Sequence, residues 1–190
     1  RSDGNKAISG KYDGTIKIWN VLGWRCTNTL EGHKEWVKKL QLKPDNKHIV
    51  SAGQDRTIKI WEMSSGKCLQ TLEGHIDQIG DICISQDGKL LASAGRDQKV
   101  IVWDMESFEQ KYVLTEGLSR FDKVAISFDS SMIFATTDTK KICGWKLNNP
   151  NEPIIFDEHN DIVSTICLLK NTLCLISGSN DSNIKVWDIK

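Results

Sequence analysis

The chain has 190 residues, of which 25 are basic and 25 acidic, so its formal net charge at pH 7 is zero. No long basic run appears, which argues against a surface built to bind nucleic acid. No apolar run approaches the roughly 20 residues that a membrane-spanning helix needs, so no membrane span is predicted. The sequence is instead expected to fold as a globular domain or as part of one.

A tryptophan recurs every 42 residues along the chain. Each one ends a short run of alternating or β-branched residues, such as TIKIW or NIKVW, which is typical of a β-strand. Five even spacings of a rare residue indicate an internal structural repeat. The repeats are centred on Trp19, Trp61, Trp103, Trp145 and Trp187.

Each period predicts four short strands separated by turn residues. In the second repeat these are Val37–Leu42, His48–Ala52, Thr57–Glu62 and Cys68–Leu72. Turn residues such as Pro44-Asp45-Asn46 separate them, and no helical periodicity of useful length is present.

Three polar residues keep the same spacing relative to the tryptophan. A histidine lies 28 residues before it in three repeats, a serine lies ten before it in four, and an aspartate lies six before it in four. With Gly32-His33, Gly74-His75, Trp103-Asp104 and Trp187-Asp188, this pattern resembles the WD40 repeat family over the whole chain. The resemblance implies an all-β fold, a WD40 β-propeller of four-stranded antiparallel blades.

We interpret residues 1–190 as one WD40 repeat domain holding about four and a half repeats. The first repeat lacks an innermost strand and the last lacks an outermost one, so the two cannot complete each other as a normal blade. The sequence therefore predicts a fragment of a ring of about seven blades, with a closed five-bladed ring as the alternative.

The resemblance also assigns the recurring polar residues to hydrogen-bonded tetrads. In the family the indole N–H donates to the serine, the serine bonds the histidine, and the histidine bonds the aspartate, which satisfies each partly buried polar group. A catalytic triad would occur once, beside an oxyanion hole, whereas this set occurs three times. We therefore expect structural tetrads, no enzyme activity, no cofactor and no metal site. The tetrads are His33–Ser51–Asp55–Trp61, His75–Ser93–Asp97–Trp103 and His159–Ser177–Asp181–Trp187.

The fourth repeat departs from this pattern. Leu118, Ala135 and Thr139 stand where the other repeats have histidine, serine and aspartate, and Trp145 remains. Because all the partners are lost together, we expect a weaker blade of the same shape. The alternative is a blade that opens to form a binding notch.

Loop positions without a structural duty are the candidates for binding a partner. Trp36 falls outside the 42-residue spacing, and exposed Trp, Tyr and Arg are enriched at binding hot spots. Arg96 and Arg120 with Lys34 would suit an acidic or phosphorylated peptide, but ordinary surface charge is the favoured interpretation. Trp24, in a hairpin at the opposite end, is a second contact or a local cap. The predicted binding residues are Tyr12, Trp36, Gln54, Gln78, Arg96, Arg120, Ile162 and Asn180.

The six cysteines form no C-x-x-C pair. Cys26 and Cys68, like Cys83 and Cys167, occupy equivalent repeat positions, where we expect reduced thiols packed in a core. Reduced thiols predict an intracellular protein, in the cytoplasm or alternatively the nucleus.

The leading functional hypothesis is a protein-interaction scaffold or adaptor in a larger assembly, binding proteins or peptides and no small-molecule substrate. One alternative is the substrate-recognition subunit of a ubiquitin ligase, for which Trp187-Asp188-Ile189-Lys190 has lysine where that group often has arginine. A second alternative is the recognition arm of a multidomain enzyme.

Overall fold

The computed structural model describes residues 5–117, 119–169 and 174–189. Across these residues the secondary structure consists of strands and turns, with no helix and hence none long and apolar enough to cross a membrane. The strands are β1 Lys6–Gly10, β2 Ile16–Asn20, β3 Arg25–Leu30, β4 Val37–Leu42, β5 His48–Gly53, β6 Ile58–Glu62, β7 Cys68–Leu72, β8 Ile79–Ile84, β9 Leu90–Gly95, β10 Val100–Asp104, β11 Gln110–Leu114, β12 Phe121–Ile126, β13 Met132–Thr137, β14 Ile142–Lys146, β15 Asn149–Phe156, β16 Val163–Leu168, β17 Cys174–Ser179 and β18 Ile184–Asp188.

These strands form five antiparallel sheets in which neighbours in sequence are neighbours in space. The three middle sheets have four strands each, and the first and last have three. The predicted all-β fold of four-stranded antiparallel blades is confirmed. In the second repeat the sequence placed the strands within one residue, since β5 extends to Gly53 and β6 begins at Ile58.

The chain divides into two compact units, residues 1–79 (the first unit) and residues 80–190 (the second unit). In the first unit the sheet β1–β3 packs on the sheet β4–β7. Ile16 and Ile18 point into this core while Lys17 between them does not, as the two-residue period of a strand requires. Trp61 and Met63 contribute the large side chains on the opposite side of the same core.

The second unit has two cores. One joins the sheets β8–β11 and β12–β15 and includes Val102, Phe121 and Trp145. The other joins the sheet β12–β15 to β16–β18 and includes Phe134 and Trp187. Trp61, Trp145 and Trp187 thus each fill the space between two sheets, which explains why a large residue is needed at this position.

Strand pairing is irregular at the same place in each repeat. The register between the third and fourth strands shifts at Ile18/Trp19, Ile60/Trp61 and Val102/Trp103. A β-bulge increases the local twist and reorients the following side chain. The bulge therefore accompanies the tryptophan as part of the repeat.

The cysteine prediction holds only in part. All six cysteines are free thiols, and Cys143 is buried, which raises the pKa of its thiol to about 12. Cys68 packs against the core of the first unit. The core placement was wrong for Cys26 and Cys167, which are exposed.

Candidate partner-binding surface

The second repeat contains a complete hydrogen-bonded tetrad. The indole N–H of Trp61 donates to Ser51 Oγ at 2.8 Å, and Ser51 Oγ lies 2.7 Å from His33 Nε2. His33 Nδ1 lies 2.9 Å from an oxygen of Asp55. Since the His33 ring is buried, each of its nitrogens needs this partner, and the arrangement supplies one for each.

The last repeat has the same geometry. Trp187 Nε1 donates to Ser177 Oγ at 2.8 Å, Ser177 Oγ lies 2.8 Å from His159 Nε2, and His159 Nδ1 lies 2.9 Å from Asp181. Hydrogen bonds from the Asn160 backbone and from His159 outweigh the effect of burial and lower the pKa of the Asp181 carboxyl.

The first and third repeats show parts of the arrangement. Trp19 donates to Ser9 at 2.8 Å and Trp103 to Ser93 at 2.9 Å. Asp13, with no histidine to bond, accepts from the Thr15 hydroxyl at 2.6 Å, and such bonds lower its pKa to about 2. In the third repeat His75 belongs to the first unit, whereas its sequence partners Ser93 and Asp97 belong to the second.

The fourth repeat keeps the tryptophan and loses its partner. Trp145 Nε1 is buried without a hydrogen bond to any described residue, since Ala135 replaces the serine. Phe121 packs edge-on against the Trp145 ring with centroids 5.6 Å apart, and Thr139 bonds the Thr137 hydroxyl at 2.9 Å. Leu118, at the histidine position, lies outside the described residues. The four-stranded sheet is nevertheless intact.

Burial and hydrogen bonding act in opposite directions on the charges of the second tetrad. Burial lowers the pKa of His33 although Asp55 raises it, so the folded protein favours the neutral imidazole. Burial raises the pKa of Asp55, but hydrogen bonds from the Lys34 backbone and from His33 outweigh it and hold that pKa below its usual range. A neutral histidine that donates to a fixed carboxylate orients the loop.

The tetrad aspartate also fixes the loop that precedes the blade. Asp55 accepts the backbone N–H of Lys34 at 2.9 Å, and Gln54 N–H donates to the Trp36 carbonyl at 2.8 Å. In the last repeat Asp181 accepts Asn160 N–H at 2.8 Å, and Asn180 N–H donates to the Ile162 carbonyl at 3.0 Å. The tetrad therefore holds the backbone of the predicted binding positions in place.

The fourth repeat braces its loop with a different residue and at a different backbone N–H. Asp138 Oδ1 accepts the Arg120 backbone N–H at 3.2 Å, and Asp138 N–H donates to the Arg120 carbonyl at 3.0 Å. Sequence reasoning missed Asp138 because it lies one position before the aligned Thr139. The sequence signal that could have identified Asp138 is the presence of a carboxylate next to the aligned position.

Two predicted binding residues from different repeats come together in the first unit. The rings of Tyr12 and Trp36 stack with centroids 4.3 Å apart and an interplanar angle of 26°. Tyr12 is 77% exposed, and Lys38 Nζ lies 4.1 Å from the Trp36 ring centroid. The exposed Tyr12 ring and the half-buried Trp36 ring form an aromatic platform with a cation on it, which we call the Tyr12–Trp36 platform.

A cavity of about 490 Å³ opens beside the platform. Lys34 and Glu35, which immediately precede Trp36 in the chain, line it together with Asp55 and Arg56 from the next turn. Lys34 and Arg56 are exposed, and neither side chain forms an ion pair with a described residue. Lys59, also in the lining, is held by the Thr71 hydroxyl at 2.9 Å. No spacing in the sequence points to this cavity.

The remaining predicted residues occupy separate positions. Gln54 and Gln78 are half-buried in the first unit, while Arg96, Arg120, Ile162 and Asn180 are exposed in the second. Lys34 lies in the first unit, and the two arginines lie in the second. Trp24 is 80% exposed, so of the two interpretations of this residue a local cap is excluded.

Known proteins match the chain through the repeat itself. The family model described as WD domain, G-beta repeat matches residues 1–20, 24–62, 66–104 and 151–188, more than half of the chain. The chain belongs to the WD40 repeat family. The unmatched residues 105–150 include most of the fourth repeat, where the tetrad is replaced.

Individual relatives match over about one repeat. A nuclear distribution protein PAC1 of Cryptococcus neoformans is 40% identical over 47 residues, 25% of this chain and 11% of that protein. The DDB1- and CUL4-associated factor 13 of Dictyostelium discoideum is 42% identical over 46 residues, 24% of this chain and 10% of that protein. A lissencephaly-1 homolog of Heterostelium pallidum is 38% identical over 42 residues, 22% of this chain and 10% of that protein. The matches thus cover about a tenth of each relative.

Proposed function

We propose that this WD40 chain is a protein-interaction scaffold whose first unit binds a segment of a partner protein on the Tyr12–Trp36 platform. The observation that carries the proposal is the stacked pair itself, of which Tyr12 is exposed and Trp36 is half-buried. Large aromatic side chains on a rigid frame offer contact area with little loss of conformational entropy, which is the property of a binding hot spot.

The backbone around the platform is suited to this role. Gln54 N–H bonds the Trp36 carbonyl, and Val37 N–H donates to the Lys11 carbonyl at 3.1 Å. Both hydrogen bonds hold the platform before a partner arrives, so binding costs little ordering. Lys34 and Arg56 at the cavity beside it favour a partner segment with an acidic group next to its apolar anchor.

No catalysis is part of this proposal. The tetrads that superficially resemble a hydrolase triad recur in several repeats, and their serines are buried and already bonded to an indole. The ubiquitin-ligase alternative depends on the tetrapeptide that ends at Lys190, which lies outside the described residues. We therefore propose that the first unit binds a partner at the end that carries the Tyr12–Trp36 platform, and that this surface catalyses no reaction.

The test is an affinity capture from an extract of the source organism. We expect Trp36→Ala to reduce recovery of the specific partners at least fivefold, because it removes the larger half of the platform. Trp24→Ala is the matched control, since it removes another tryptophan of the same unit and should leave recovery within twofold. Equal recovery with both variants, each with an unchanged melting temperature, would place the binding surface elsewhere.

A further inference from the structure

The hairpin between β2 and β3, at the end of the first unit opposite the platform, carries two exposed apolar side chains. Leu22 is 78% exposed and Trp24 is 80% exposed, with Gly23 between them. Neither contributes to the core of the unit. The hairpin therefore displays an apolar tip for which the fold of this unit has no use.

The backbone conformation of Trp24 is a second unusual feature of the hairpin. Its φ of 47° lies in the left-handed region, which is costly for a bulky side chain. The second repeat places Gly66 there, with φ of 76°, and the third places Phe108, with φ of 62°. Phe108 is half-buried, so packing compensates its conformation, whereas Trp24 gains no comparable burial.

Cations surround the tip. Strand directions bring the start of β1, the turn between β4 and β5 and the hairpin between β6 and β7 to the same end of the unit, as the Met63 N–H to Lys47 carbonyl bond of 2.9 Å illustrates. None of the basic side chains there forms an ion pair with a described residue. They are Lys6, Arg25, Lys43, Lys47 and Lys67.

The acidic groups at this end are fewer and already engaged. Asp45 bonds the His48 ring at 2.7 Å, and Glu62 accepts from the Ser65 hydroxyl at 2.5 Å. Around Phe108 the charge is reversed, because Glu106 and Glu109 flank it in the chain. The combination of an apolar tip and a basic surround is therefore specific to the first-unit hairpin.

We propose that the Leu22–Trp24 hairpin docks the protein on an anionic lipid surface. Tryptophan is favoured at the membrane–water interface, leucine enters the acyl boundary, and lysine and arginine are attracted to acidic headgroups. The tip projects from the fold, as shallow insertion requires. This site is separate from the Tyr12–Trp36 platform and does not depend on the scaffold proposal.

The experiment is co-sedimentation of the full chain with vesicles of phosphatidylcholine containing about 30% phosphatidylserine, and with pure phosphatidylcholine vesicles. We expect partitioning onto the anionic vesicles that falls as salt is raised from about 0.1 to 0.5 M, because screening weakens it. The Leu22→Ala/Trp24→Gly variant should lose at least fivefold in partition coefficient. Phe108→Ala, the matched control, should stay within twofold.

Folding does not confound this comparison. Trp24→Gly places glycine in a left-handed conformation that glycine adopts readily, so its melting temperature should equal or exceed that of the wild type. Equal partitioning onto both vesicle types, or unchanged partitioning of the double variant, would overturn the proposal. Absence of partitioning onto either vesicle type would also overturn it, and an acidic groove on a protein would then be the alternative partner of the tip.

Discussion

Ser51→Ala is expected to lower the free energy of unfolding by roughly 2–4 kcal/mol, because it orphans two buried groups that cost about 1–3 kcal/mol each. These groups are the Trp61 indole N–H and the Nε2 atom of His33, both within 2.8 Å of the serine oxygen. Chemical denaturation of the two proteins measures the difference. A loss below about 0.5 kcal/mol would contradict the tetrad energetics.

The fourth repeat offers the reverse substitution. Ala135 pairs with Cys143 as Ser51 pairs with Lys59, so Ala135→Ser places a hydroxyl where the Trp145 N–H lacks an acceptor. Ser93 Oγ donates to the Ile101 carbonyl at 3.2 Å, and the new hydroxyl has the equivalent Cys143 carbonyl available. We therefore expect a gain of about 1 kcal/mol in the same denaturation experiment. A decrease in the free energy of unfolding would show that the space beside the Trp145 N–H is already filled.

Asp55→Ala is expected to cost roughly 1–3 kcal/mol. It removes the acceptor of the Lys34 N–H and leaves the buried Nδ1 atom of His33 with only the Thr57 hydroxyl, at 3.3 Å. Asp13→Ala is the matched control in the first repeat, where the aspartate is exposed and has no histidine partner. It should cost much less. Equal decreases in melting temperature for the two variants would contradict the larger loss of stability expected for Asp55→Ala.

The same pair predicts a pH dependence with a definite sign. The pKa of His33 is lowered in the folded state, so the folded protein binds fewer protons than the unfolded chain. The free energy of unfolding therefore decreases as the pH falls through the ordinary histidine pKa of 6.5. The Asp55 carboxylate partly offsets this by favouring the protonated ring. The stability difference between wild type and Asp55→Ala should therefore widen from pH 7.5 to pH 5.5. A difference that narrows would reverse the assigned coupling.

Periodicity in the sequence was sufficient to predict the strands. Alternating residues around each tryptophan determine which side chains enter a core, and turn residues determine where a strand ends. The hydrogen-bond partners of Ser51 and Ser177 are the ones that the resemblance to the WD40 family implies, and the spacing identifies which residues fill those places.

What the sequence did not reveal depends on contacts between repeats. Tyr12 and Trp36 belong to different repeats, and only the packing of the first two sheets brings their rings together. The same is true of the cavity beside Arg56. The exposure of Cys26 could not be read from its equivalence to Cys68, because burial depends on the neighbouring sheet and not on the repeat position.

The role of Asp138 illustrates a different limit of prediction from residue spacing. Alignment by spacing assigned the aspartate position to Thr139, whereas the loop is braced by the Asp138 carboxylate one residue earlier. Asp138 accepts from the N–H of Arg120, the residue directly before β12, whereas Asp55 accepts from the N–H of Lys34, three residues before β4. Spacing alone therefore identifies the turn but not the residue that performs the bracing.

The most direct measurement of the central proposal is site-specific photo-crosslinking in the source extract, with benzoylphenylalanine replacing Tyr12 on the platform or Leu69 on β7 of the same unit. Both positions are exposed, at 77% and 45%. We predict a discrete crosslinked partner from position 12 that Trp36→Ala abolishes, and none from position 69. Identical crosslinking patterns from both positions, or a position-12 crosslink that survives Trp36→Ala, would contradict the assignment of partner binding to the Tyr12–Trp36 platform.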